Sequence, residues 1–116
     1  MHPNLSIACT GEVSENPQIH VWLVENCLNI RYLDTYHKSG IINAKFASNS
    51  NYIFSLGASS QITIQISDWQ TSEVVAFSYT KRNKILEVEI DPNDPNHFVT
   101  GSFQYLDFWI LQGNSI

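Results

Sequence analysis

The chain has 116 residues, 43% of them apolar and 12% aromatic, which is the composition of one globular domain with a buried core and not of a disordered segment. Six Lys and Arg against eleven Asp and Glu leave a formal charge of -5, which argues against a surface built mainly to hold nucleic-acid phosphates. No apolar run approaches the ~18 residues that cross a bilayer, and Met1-His2-Pro3-Asn4 lacks the basic start and apolar stretch of a secretory leader, so we expect a soluble, intracellular chain without membrane or nucleic-acid partners.

In chain order, strand signals fall at 6–10, 19–24, 28–33, 43–46, 52–56, 62–66, 73–77, 85–90, 97–100 and 106–111. Each segment is short, rich in β-branched or aromatic residues, and bounded by Gly, Pro, Asn, Asp or Ser. No segment holds apolar residues at helical spacing long enough for a helix, so the fold class is all-β. Cys9 and Cys27 lie in otherwise apolar segments and are too few for a disulfide framework, so both are expected buried and reduced.

Strands this regular build sandwiches, barrels or propellers, and internal repetition separates these. Three segments share an alternating apolar pattern that closes on a tryptophan-like position: Ile19-His20-Val21-Trp22, Ile64-Gln65-Ile66-Ser67-Asp68 and Leu106-Asp107-Phe108-Trp109. The key positions Trp22, Ser67 and Trp109 are 45 and 42 residues apart. Upstream of each runs a strand ending in a small hydroxyl residue: Ile7-Ala8-Cys9-Thr10-Gly11, Ile53-Phe54-Ser55-Leu56-Gly57 and Phe98-Val99-Thr100-Gly101-Ser102. Further upstream, Asn43-Ala44-Lys45-Phe46 parallels Val88-Glu89-Ile90-Asp91-Pro92.

A repeat a little over forty residues long, with a tryptophan-like residue closing one of its strands, predicts a partial β-propeller of the WD40 type, with about two and three-quarter four-stranded antiparallel blades. The blade remnants are 1–36, 37–80 and 81–116, and they are expected to belong to a larger propeller. In such blades a tryptophan covers the sheet and its indole N–H needs a partner, which a hydroxyl on the adjacent strand supplies and can relay to a loop histidine. Thr10 with Trp22 and Thr100 with Trp109 fit that network. In the middle blade His37 stands where the loop histidine falls, with Ser55 as its hydroxyl partner, while Ser67, followed by Asp68, replaces the tryptophan. Lys81 stands where the third histidine would be.

The segments His2-Pro3, Ile7 to Val13, Ile19 to Trp22, Ser67-Asp68-Trp69-Gln70, Asp91-Pro92-Asn93-Asp94-Pro95 and Tyr105 to Ile116 together resemble the echinoderm microtubule-associated protein-like family, whose paired propellers are built from atypical WD repeats. The order and approximate spacing hold over nearly the whole chain. The resemblance implies a non-catalytic scaffold attached to microtubules or an axonemal assembly, with tubulin or axonemal proteins as partners and a place in the cytoplasm, on the cytoskeleton or in a cilium. A general scaffold in trafficking or signalling is the alternative. A propeller enzyme or small closed sandwich is a further one.

Candidate partner-binding residues are the basic cluster Lys81, Arg82 and Lys84, the neighbouring aromatic Tyr79, and the polar loop with Glu12 and Glu15. A local positive loop on an acidic protein suits an acidic partner surface, and exposed loops on rigid scaffolds often bind. The plainer reading is a solvated turn for the basic cluster, and the loop reads equally as an ordinary connection. No catalytic, metal or cofactor site is expected. His2, His20, His37 and His97 share no ligand spacing with the cysteines, and Asp91, Asp94 and Asp107 form no paired carboxylate. No Gly-rich phosphate loop or nucleophile elbow is present.

Overall fold

The computed structural model describes residues 7–24, 28–47, 51–58, 62–80, 87–91, 93, 96–101 and 106–111. Among the described residues ten strands follow one another: β1 (Ile7–Gly11), β2 (Gln18–Leu23), β3 (Leu28–Asp34), β4 (Ile41–Phe46), β5 (Tyr52–Gly57), β6 (Thr63–Asp68), β7 (Glu73–Tyr79), β8 (Glu87–Ile90), β9 (His97–Gly101) and β10 (Leu106–Ile110). They pair antiparallel with their chain neighbours in three sheets, β1-β2-β3, β4-β5-β6-β7 and β8-β9-β10. Every strand expected from the alternation of apolar and polar residues is present, with its ends within two residues of expectation; Ile85 and Leu86 lie outside the described residues.

The first strands of the sheets converge, with β4 lying against β1 on one side and β8 on the other. The links between sheets therefore run from the outer strand of one to the inner strand of the next. The result is an arc: one four-stranded blade between two three-stranded ones, a partial propeller.

The repeat is visible in the strand registers. Thr10 faces His20, Ser55 faces Gln65 and Thr100 faces Asp107; two pairs further out, Ala8 faces Trp22, Ile53 faces Ser67 and Phe98 faces Trp109. The shortening of the period from 45 to 42 residues is thereby located. Ten positions separate the first two facing pairs in sequence and seven the third, so the β9–β10 turn is three residues shorter. A register shift also recurs at the same place, between Val21 and Trp22 and again between Ile66 and Ser67. It is the local kink that an extra residue imposes on one strand of a pair.

Two clusters form the core, one at each junction between sheets. Ile7, Ile19, Val21 and Leu33 of the first sheet pack with Ile41, Ile53 and Trp69 of the second. On its other face the second sheet presents Phe54, Leu56, Ile64 and Ile66 to Val88, Phe98 and Leu111. Having neighbours on both sides explains why β6 is buried from Thr63 to Ser67 without alternation, whereas β2 alternates between its two faces. Each fully buried aliphatic or aromatic side chain contributes about 1.5–3 kcal/mol, so these two junctions hold the arc together.

Candidate functional site

The tryptophan-hydroxyl pairs close as hydrogen bonds. The Trp22 indole N–H donates to Thr10 Oγ1 at 2.8 Å, and that of Trp109 to Thr100 Oγ1 at 3.0 Å. Each bond is diagonal across two strands, because the hydroxyl residue sits two register steps from the residue facing the tryptophan.

The middle sheet solves the same problem differently. His37, 1% exposed, lies between two hydroxyls, with Nε2 2.9 Å from Ser55 Oγ and Nδ1 2.6 Å from Thr63 Oγ1. Burial disfavours its charged form and pushes its pKa down to about 4, so at neutral pH one ring nitrogen donates and the other accepts. Ser55 and Thr63 also lie 3.5 Å from the backbone carbonyls of Gln65 and Gly57. Gly57 is required here by space, since a Cβ would fall on the His37 ring and on Thr63 Oγ1.

Ser67 leaves room where its counterparts carry indole. Gln65 fills the polar side of that gap, donating from Nε2 to Ser67 Oγ at 2.8 Å and accepting the Tyr36 backbone N–H on Oε1 at 2.8 Å. Trp69, two residues on, packs into the junction with the first sheet, edge-on to Phe46 at 6.4 Å. Asp68 shapes the turn beyond, its Oδ1 accepting the backbone N–H groups of Gln70 and Thr71 at 3.0 and 3.3 Å. The roles of Thr63, Gln65 and Trp69 were not anticipated from sequence; the register equivalence of Ser67 with two tryptophans is the signal that points to them.

Of the candidate partner-binding residues, Lys81, Arg82 and Lys84 lie outside the described residues. Tyr79 is 65% exposed at the end of β7, edge-on to Phe77 at 5.5 Å, and Tyr36 meets the same Phe77 ring at 5.6 Å. Glu12 points back into its own hairpin. Its Oε1 accepts the Gln18 backbone N–H at 2.8 Å, and its Oε2 lies 2.7 Å from His20 Nε2. The His20 and Gln18 hydrogen bonds hold its carboxyl below the usual range. Glu15 is exposed on the same connection. No described contact joins Tyr79 to either glutamate.

A charged cluster not anticipated from sequence joins the inner strands. Lys45 Nζ on β4 lies 2.9 Å from Glu87 Oε1 and 3.0 Å from Glu89 Oε1 on β8, and Asn43 Nδ2 donates to Glu87 at 3.0 Å. Partial burial works against the Lys45 charge, but its bonds to Glu87 and Glu89 outweigh that and raise its pKa.

The described residues include no group of three His, Cys, Asp or Glu side chains that could hold a metal ion. The Ser55–His37 pair is sealed from solvent, Ser55 being fully buried, so no substrate reaches it. Cys9 is partly buried, and desolvation pushes its thiol up to about 11, which leaves it an unreactive apolar group. Cys27 lies outside the described residues.

No family model matches the chain. Among curated proteins it is 24% identical over its whole length to echinoderm microtubule-associated protein-like 4 of Mus musculus, and 24% identical to echinoderm microtubule-associated protein-like 1 of Rattus norvegicus. It spans 13% and 16% of the length of these relatives. Among solved structures it superposes on a chain of the COPII coat assembled on membranes with TM-score 0.80 and 21% identity, over 97% of this chain and 17% of that one. The Cps50 (Swd1) β-propeller domain of Myceliophteria thermophila matches with TM-score 0.70 and 14% identity, over 92% of this chain and 34% of that one. With sheets, register repeat and superposition in agreement, the chain folds as a partial β-propeller and is similar in sequence to the echinoderm microtubule-associated protein-like proteins.

Proposed function

We propose that the chain is a non-catalytic scaffold segment that works within a larger propeller and contributes to binding or assembly on microtubules, in the cytoplasm or an axoneme. The observation that carries the reading is the similarity along the entire chain to proteins named as microtubule-associated. The geometry supports a scaffold. Leu106 and Phe108 are 67% and 78% exposed, whereas their register counterparts Ile64 and Ile66 are fully covered by the next sheet. A face of this kind is suited to a further blade, so we take 1–36, 37–80 and 81–116 as blade remnants of a longer ring.

Within that ring the exposed loops are the recognition surface. Lys81, Arg82 and Lys84, beside the exposed Tyr79 ring, would present positive charge to the acidic surface of tubulin and speed encounter more than they tighten the final complex. Glu12, whose carboxylate is engaged within its hairpin, contributes to loop shape, leaving Glu15 as the free acid of that loop.

Co-sedimentation of the protein carrying this segment with polymerised tubulin tests the reading, with Lys81, Arg82 and Lys84 reversed to Glu in a second sample. Binding that weakens on reversal and falls with added salt is expected. Binding that survives reversal removes the basic loop from the interface. No binding by the parent protein overturns the microtubule reading and favours a general protein-interaction scaffold.

A further inference from the structure

The β6–β7 turn carries a serine in a conformation that serine does not favour. Ser72 has φ of 64° and is the sole described non-glycine residue in the left-handed region. Glycine or asparagine is more comfortable there. What serine adds is its hydroxyl, and Ser72 Oγ accepts a hydrogen bond at 3.0 Å from Arg31 Nη1, which comes from β3 of the preceding sheet. This bond crosses the junction between the first two blades.

Arg31 is under-used by that single bond. A guanidinium has five N–H donors in a fixed planar fork. Although the chain has more acids than bases, none of the ion pairs among the described residues involves Arg31. Asp68, at the start of the turn, is turned inward onto the Gln70 and Thr71 backbone N–H groups, and Glu73, next to Ser72, is exposed at the start of β7 and takes part in none of those ion pairs. A half-buried guanidinium with spare donors, aimed at an exposed serine hydroxyl on a hairpin tip, has the geometry of a phosphate reader.

We propose that Ser72 is a phosphorylation site whose phosphate is bound by Arg31, so that the modification clamps the first blade to the second. In the transfer, a protein kinase supplies a nucleoside triphosphate. Ser72 Oγ bonds to the γ-phosphorus as the bond from that phosphorus to the bridging oxygen breaks, the nucleoside diphosphate leaves, and the hydroxyl proton passes to the kinase. The product places a charge of nearly two and three acceptor oxygens where one neutral hydroxyl stood, within reach of the Arg31 fork.

The test places phosphoserine at position 72 of the full chain by encoded incorporation and follows its phosphorus resonance through a pH titration. A nearby guanidinium favours the dianion, so the second ionisation is expected about one pH unit below that of the excised turn peptide, residues 68–74. Arg31→Gln should return it to the peptide value, and Arg31→Lys should restore only part of the shift because the fork is lost. High salt should also erase part of the shift. A phosphoserine that titrates in the chain as it does in the peptide overturns the proposal, as does a shift that Arg31→Gln leaves unchanged.

Discussion

The His37 ring occupies the space that a side chain at position 57 would need: a Cβ built on Gly57 would run into Nδ1 and Cγ of the imidazole. The glycine ends β5 and the histidine sits in the link between sheets, so the fit couples the second blade to the segment that delivers it from the first.

Gly57→Ala should therefore destabilise the chain although glycine-to-alanine changes often help. Overpacking of this kind costs about 1–3 kcal/mol. Ser55→Ala, which strands one nitrogen of the buried ring, should cost about 1–3 kcal/mol by a different route. Urea midpoints of the two single variants and the double variant check this, and a double variant less destabilised than the sum of the two would show that both act through His37.

The pH dependence has a definite sign. His37 has a folded pKa of about 4 against 6.5 for the unconstrained side chain. Between those values the unfolded chain binds the proton and the folded chain does not, so stability rises with pH. The effect is nil above 6.5, and a destabilising penalty grows as pH falls toward 4, to a total on the order of 3 kcal/mol. His37→Gln should flatten that stretch of the stability profile. Glu12 and Glu87, whose carboxyls are held low by His20 and Lys45, act in a lower window, stabilising above the ordinary carboxylate pKa and ceasing to do so as they protonate.

Trp69→Ala should be among the costliest single changes, about 3–5 kcal/mol, since it empties the first junction beside Phe46. Ser67→Ala, at the repeat's own key position, removes one hydrogen bond from Gln65 and should cost about 1 kcal/mol. Thermal denaturation of the two variants in parallel checks the ranking, and equal losses would show that Trp69 does not replace the missing indole.

Phe108→Ser is expected to change the stability of the 116-residue chain by less than about 0.5 kcal/mol, because most of the ring is already in water. Ile66→Ser, at the equivalent buried place, should cost several times more. In a longer protein whose next blade covers the third sheet, Phe108→Ser should cost about as much as a core truncation, 2–5 kcal/mol. Measuring the same substitution in both lengths tests the larger ring directly.

The strands were legible because burial on one or both faces writes an alternating or continuous apolar signal into each segment, as in β2 and β6. The hydroxyl partners Thr10, Ser55 and Thr100 were legible because the repeat places them at one register. Trp69 was not, since a tryptophan in a turn carries no periodic signal and its burial depends on the neighbouring sheet. Nor was the inward turn of Glu12, which follows from His20 facing Thr10 across the hairpin. The Lys45–Glu87–Glu89 cluster joins residues more than forty positions apart on separate sheets, a distance at which charge patterning along the chain is silent.

The run of every link from an outer strand to the next inner strand gives the arc a front and a back that differ in kind. The forward face offers bare aliphatic and aromatic carbon from Leu106, Phe108 and Ile110, while the outer strand of the first sheet bares Leu28, Ile30 and Tyr32 near the hydrogen-bonded Trp22 and Thr10. In the middle sheet the two kinds of face lie back to back and both are covered, so each end of the arc repeats in water a surface that is buried inside it.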